Sequence, residues 1–182
     1  MKVFSDDARG LLTQWSIEFF RAVGSISAAS ITVSLIVLSS SWAIPAIAKP
    51  SEDRLSQAVT DLKLSERKWI EVRLRSQRLV AWQGDRSVYA VTVSTGKYAT
   101  PTPVGTFKIQ TKIRLGRMQG ADYDVDGVPY IMYYHGGYGI HGADWHHNFG
   151  RQVSHGCTNV AVDHAKWLFN WAAVGTPVVV RQ

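Results

Sequence analysis

Residues 69–94 read WIEVRLRSQRLVAWQGDRSVYAVTVS. Their reading decides the fold. In WIEVRLR, Trp69, Glu71 and Arg73 alternate with Ile70, Val72 and Leu74, the period-two pattern of a half-buried strand. RLVAWQ (78–83) follows, then Gly84-Asp85 as a turn, then SVYAVTVS (87–94). Three apolar-alternating runs joined by turn residues predict an antiparallel meander.

Downstream, TPTPVGTFKIQTKI (100–113) places a proline-rich loop before another alternating strand, and GRMQGADYDVDG (116–127) reads as a Gly/Asp loop. YIMYY (130–134) is a further strand. HGGYGIHG (135–142) is too glycine-rich for a plain strand interior and points to close backbone approach. VDHAKWLFNWAA (162–173) sets Trp167, Leu168 and Trp171 on one helical face, and Gly175 and Pro177 stop it. PVVVR (177–181) closes as a strand. The expected class is mainly β with one C-terminal α-helix.

Upstream, KPSEDRLSQAVTDLKLSE (49–66) spaces Leu55, Ala58, Val59 and Leu62 for a short helix or tether. Residues 22–48 carry no charge and are most apolar at ITVSLIVL (31–38). They end in AIPAIA before Lys49, an A-x-A-like cleavage pattern after Ala48. The run of 27 uncharged residues also exceeds the roughly 20 that span a bilayer. A signal peptide and an uncleaved membrane anchor both fit, and either implies export to the periplasm or cell envelope. The organisation expected is 1–48 signal or anchor, 49–67 linker or short helix, and 68–182 the main folded domain.

The formal net charge is +6. Three bases and three acids cancel within residues 1–48, so the excess lies on 49–182. Such a surface favours anionic partners. The arginines are scattered and no nucleic-acid motif is present, so nucleic acid is not an expected partner.

The lone cysteine, Cys157, sits in SHGCTN (154–159), and all six histidines fall between 135 and 164. One cysteine forms no internal disulfide, and a free thiol in an oxidising compartment is exposed to oxidation. Three roles are open. As a nucleophile, Cys157 needs a proton acceptor, for which His141 and His155 are candidates. If residues 153–157 are extended, His155 and Cys157 share a face. As a metal site, His141, His146, His147, His155 and Cys157 are ligands by type, but their spacing matches none of the common zinc patterns. As a packing residue, cysteine is a small buried hydrophobe.

At these residues the chain resembles the L,D-transpeptidases with the YkuD-type catalytic domain. The family pattern of His-Gly, a loop, Ser-His-Gly-Cys and Asn two positions later is met by His141-Gly142, Ser154-His155-Gly156-Cys157 and Asn159. VSTGK (93–97), TPTPVGTF (100–107) and AKWLFNWAAVGTPVVV (165–180) are similar too. The likeness covers about residues 68–182. It departs at Ala143, where many relatives have Thr, and at Thr158, where an aliphatic residue is frequent; both bear on donor preference.

The resemblance implies a β-sandwich-like domain and peptidoglycan stem peptides as partners. Cys157 would attack the carbonyl of the third residue of a stem tetrapeptide and expel D-alanine. An amine of a second stem would take the acyl group, giving a 3→3 crosslink. It implies His141 as base, the Gly142 carbonyl as its orienting group, and His155 beside the oxyanion. Gly136, Gly137, Trp145, Asn159 and Tyr123 would contact substrate. No metal or organic cofactor is required, and carbapenem-type inhibitors are expected to acylate Cys157. Water as acceptor would make the protein an L,D-carboxypeptidase. A catalytically silent peptidoglycan-binding module is the rival of another class, and membrane contact follows if residues 1–48 remain attached.

Overall fold

The computed structural model describes residues 51–182. The expected export or anchor segment, 1–48, lies outside them. Among the described residues no helix is long and apolar enough to cross a membrane.

The meander forms as β1 (Lys68–Arg73), β2 (Arg78–Gln83) and β3 (Arg86–Thr92). Gly84 turns the second hairpin at φ +58°, a conformation open to a residue without Cβ. β4 (Gly105–Lys108) follows the proline-rich loop, and β9 (Pro177–Arg181) closes the chain. The five make one sheet in the order β3-β2-β1-β9-β4. β9 runs parallel to β1 and antiparallel to β4. The last strand is therefore central, and VVV (178–180) is wholly buried.

The second sheet has the order β5-β6-β7-β8, from β5 (Thr111–Gln119), β6 (Asp124–His135), β7 (Tyr138–Gly142) and β8 (Thr158–Val160). Ile70, Val72, Leu79, Val178 and Val180 of the first sheet and Met132, Tyr134, Ile140 and Val160 of the second share one core. Mainly β with a sandwich-like core is the expected class, and the structure has it.

α2 (Val162–Trp171) buries Ala165 and Leu168 in that core. Trp167 and Trp171 are half-buried and stack on each other at 5.7 Å, and Trp167 stacks on Tyr89 at 4.0 Å. The Lys112 ammonium donates to the Phe169 and Ala172 carbonyls at 2.6 Å each. It thereby satisfies acceptors that a helix C-terminus leaves open.

Two expectations are corrected. GRMQGADYDVDG is not a loop but the far half of a long β5–β6 hairpin, turning only over residues 120–123. Gly116 sits at an irregularity in the register, and Asp124 is held by Arg117 on the exposed face. Gly and Asp mark a bulge and a solvated sheet edge here as well as a turn. Second, β1 is not half-buried: Trp69 and Glu71 are 0% and 1% exposed. α1 (Glu52–Leu64), capped by the Ser51 hydroxyl, lies over this face. Its Leu55 packs with Trp69 and Val179, so α1 is a docked helix and not a free tether. Of the two expectations for residues 49–66, a short helix or a tether, the helix is the one that forms.

Candidate active site

β7 and β8 pair in parallel with Ile140 opposite Thr158, His141 opposite Asn159 and Gly142 opposite Val160. Cys157 directly precedes β8. Side chains alternate along a strand, so His141, Asn159 and Cys157 project to one side, away from the core that takes Ile140 and Val160. They line a cavity of about 290 Å³ together with Tyr123, Val128 and Trp145. Two motifs fifteen residues apart are thus brought together by one short parallel pairing.

His141 is 4% exposed and Cys157 8%. Nδ1 of His141 lies 2.9 Å from the Gly142 carbonyl oxygen. A carbonyl only accepts, so Nδ1 carries the proton and Nε2 presents a lone pair. A carbonyl here fills the orienting place that a carboxylate takes in a Ser-His-Asp triad. Gly142 is required for the geometry, since a Cβ would meet Pro129 Cγ at 2.8 Å. The thiol points to the Gly137 carbonyl at 3.7 Å and not to His141.

Burial pushes the Cys157 thiol up, and a hydrogen bond from the Gly139 backbone opposes it in part. Burial pushes His141 down to about 4, against the Gly142 hydrogen bond and with help from His146. The resting pair is therefore neutral thiol and neutral imidazole. Burial disfavours the charged form of each group.

The turn 154–157 is not extended. Gly156 has φ +115°, and a Cβ there would meet Tyr138 Cε1 at 2.5 Å. This overturns the premise that His155 and Cys157 share a face as strand neighbours. Ser154 Oγ donates to the Cys157 carbonyl at 2.6 Å and accepts from Gly156 N–H at 3.1 Å. Thr102 Oγ1 donates to the Gly156 carbonyl at 2.8 Å and accepts from Gly96 N–H at 2.9 Å. Ser94 and Asn159 exchange backbone hydrogen bonds at 2.9 and 2.8 Å. VSTGK and TPTP are therefore the scaffold under the cysteine turn. Sequence reading quoted both segments but assigned their side chains no part.

His155 lines the cavity, but its Nε2 lies 3.2 Å from Asp122 Oδ2 and 3.3 Å from Lys97 Nζ. Its ring stacks on Tyr123 at 5.0 Å, which fastens the hairpin tip to the cysteine turn. Trp145 is 46% exposed and stacks on His141 at 5.8 Å. Gly136 and Gly137 form the β6–β7 turn, with Gly136 at φ +50°. Asn159 is buried against His146, its amide 2.8 Å from Nε2. His146 Nδ1 accepts from Asn148 N–H at 3.2 Å, so in the neutral ring Nε2 carries the proton. Asp122 and Lys97 were not singled out by sequence, and His146 was named only as a metal ligand by type. Their positions depend on the loop and the hairpin, and no local pattern marks them. Among the described residues no group of three or more His, Cys, Asp or Glu is placed to hold a metal ion.

A buried thiol, an oriented imidazole and a walled groove are groups that can support acyl transfer. The model of the YkuD family, described as the L,D-transpeptidase catalytic domain, matches residues 67–180. L,D-transpeptidase 1 of Mycobacterium tuberculosis strain H37Rv is 34% identical over 102 residues, covering 48% of this chain and 39% of the relative. The chain thus spans about two fifths of that curated relative's length. Among solved structures, the catalytic domain of an Enterococcus faecium L,D-transpeptidase is similar at 31% identity and a TM-score of 0.59. That match covers 64% of this chain and 98% of the other. A structure of an L,D-transpeptidase in complex with imipenem is similar at 26% identity and a TM-score of 0.59, covering 63% and 58%.

Proposed function

Because the chain belongs to the YkuD family of L,D-transpeptidase catalytic domains, we propose that it is a peptidoglycan L,D-transpeptidase with Cys157 as nucleophile. The single observation that carries this is the placement of His141 and Cys157 on one face of the β7–β8 pair, with His141 Nδ1–H held by the Gly142 carbonyl.

The tetrapeptide donor lies in the cavity, with Trp145 and Tyr123 as walls. His141 Nε2 takes the Cys157 proton as sulfur attacks the carbonyl of the third stem residue. The C–S bond forms, the amide C–N bond breaks, and His141-bound proton leaves with the D-alanine amine. An amine of a second stem then attacks the thioester. His141 takes the proton of that amine and returns one to sulfur, leaving a 3→3 crosslink. Burial serves this sequence by keeping both groups neutral until substrate displaces the remaining water. His155 stands at the rim, where its contacts to Asp122 and Tyr123 hold the hairpin tip beside the acyl carbonyl. Action outside the cytoplasm is part of the reading, supported by the uncharged run 22–48. The imipenem complex of a relative supports carbapenems as acylating inhibitors of Cys157.

The test is mass spectrometry of defined muropeptide tetrapeptides incubated with the full chain, beside Cys157→Ala. Loss of D-alanine coupled to a new dimer, absent in the variant, is the expected result. Loss without dimer would make the protein an L,D-carboxypeptidase. No change with either protein would refute catalysis and leave a wall-binding module.

A further inference from the structure

The Cys157 cavity opens on the outer face of the four-stranded sheet. The five-stranded sheet has an outer face of its own, and the reaction above does not use it. α1 covers the end of this face at Trp69 and Val179. Beyond the helix a second cavity, about 390 Å³, lies over Val80 and Ala90 and is walled by Arg73, Arg78, Trp82 and Ser87.

The register explains the concentration of charge. Arg73 is directly opposite Arg78 on β2 and Arg181 on β9. Residues opposite one another project to the same face, so three guanidinium groups occupy adjacent strands at one level. Like charges so placed repel. The compensation is Glu71, two residues earlier on the same face and 1% exposed. Its carboxylate accepts from Arg73 Nη2 at 2.7 Å, Arg181 Nε at 2.6 Å and Trp82 Nε1 at 3.1 Å.

Three consequences follow. Arg73 and Arg181 are held in place, so their ordering is complete before any ligand arrives. The carboxylate is fully used, and three guanidinium charges against one carboxylate leave two positive charges. Donors also remain unmet: Arg73 Nε is buried with no partner, and Arg78 has no ion pair among the described residues.

We propose that this face binds a phosphate group. A phosphate monoester carries about −1.5 to −2 charge near neutral pH, which matches the excess. Guanidinium forks pair with its oxygens two at a time. Ser87 adds a hydroxyl, and Trp82 lines the cavity with its N–H committed to Glu71. The cavity is open to the surface along the sheet, so a free phosphate and the phosphate of a lipid headgroup present it with the same chemistry. The proposal does not rest on the chemistry assigned to Cys157.

The test titrates the purified full chain with inorganic phosphate and follows the arginine Nε–Hε signals by NMR. Wild type, Arg78→Gln, Ser87→Ala and Cys157→Ala are compared. Arg78 is exposed and unpaired, so its variant should keep the wild-type melting temperature. Arg73 is left intact because its loss would strand Glu71. Saturable binding that weakens about tenfold in Arg78→Gln, the loss of roughly one charge-assisted contact, and that is unchanged in Cys157→Ala is expected. No saturation, or equal affinity in Arg78→Gln, would overturn the proposal. Co-sedimentation with phosphatidylglycerol against phosphatidylcholine vesicles separates the sources. Retention on the former that Arg78→Gln abolishes identifies a lipid headgroup. Phosphate binding without vesicle retention identifies a soluble or polymer-borne phosphate.

Discussion

Replacing Ser154 by alanine tests how the cysteine turn is held. Ser154 is 6% exposed, and its single oxygen serves two backbone groups, the Cys157 carbonyl and the Gly156 N–H. Alanine fits the space and removes both partners at once. A buried backbone group left without a partner costs about 1–3 kcal/mol. Water reaching the Cys157 side from the cavity relieves part of that, so the expected loss is about 2–4 kcal/mol. For a unit of this size each kcal/mol moves the midpoint by about 3–5 °C, so the melting temperature should fall by about 6–20 °C. Thermal denaturation of the full chain by circular dichroism measures this, with Ser56→Ala on the exposed face of α1 as a control within about 0.5 kcal/mol. Reactivity supplies a second readout. A loosened turn should let a small neutral alkylating agent reach the thiol faster, while acylation by imipenem, which needs the aligned turn, slows by about tenfold or more. A shift under 2 °C with both rates unchanged would mean the serine hydrogen bonds do not hold the turn.

Titration of His141 gives a prediction of definite sign. Its folded-state value of about 4 lies below the ordinary 6.5, so the unfolded chain binds more protons between those values. Stability is full above about pH 6.5 and is lost as pH falls toward 4, by on the order of 3 kcal/mol; urea denaturation from pH 7 to 4 should show that loss, and His141→Gln should flatten it. Glu71→Gln leaves Arg73 and Arg181 facing each other without their carboxylate. Both arginines reach solvent, so the cost should lie at or below the low end of the 3–5 kcal/mol for a broken buried pair, and a chemical-denaturation midpoint equal to wild type would contradict it. Gly156→Ala meets both a positive φ and Tyr138, and should lower stability by about 2–4 kcal/mol with loss of Cys157 acylation; a variant with wild-type stability and acylation would show that the turn tolerates a Cβ.

The meander, the Gly84 turn, α2 and the choice of Cys157 and His141 as candidate site residues, which line one cavity, were legible in the sequence. Each is encoded locally, by period-two alternation, by glycine, by helical spacing with a stop signal, and by residue type within a short motif. The hairpin tip was misread because Gly and Asp serve both turns and solvated edges. The burial of Trp69 and Glu71 was missed because alternation presumes one wet face, and only the docking of α1 and the two arginines from β1 and β9 closes the other.

What tertiary structure alone decided is long-range. The chain's last strand enters the first sheet between β1 and β4, which brings Arg181 to Glu71. The short β7–β8 pairing aligns His141 with Asn159 and so with Cys157. Ser94, Gly96 and Thr102 come under the cysteine turn from more than fifty residues away. Local spacing carries no record of such pairings. They are selected by the shared core that both sheets and α2 must bury at once, and that constraint acts on the whole chain rather than on any one segment.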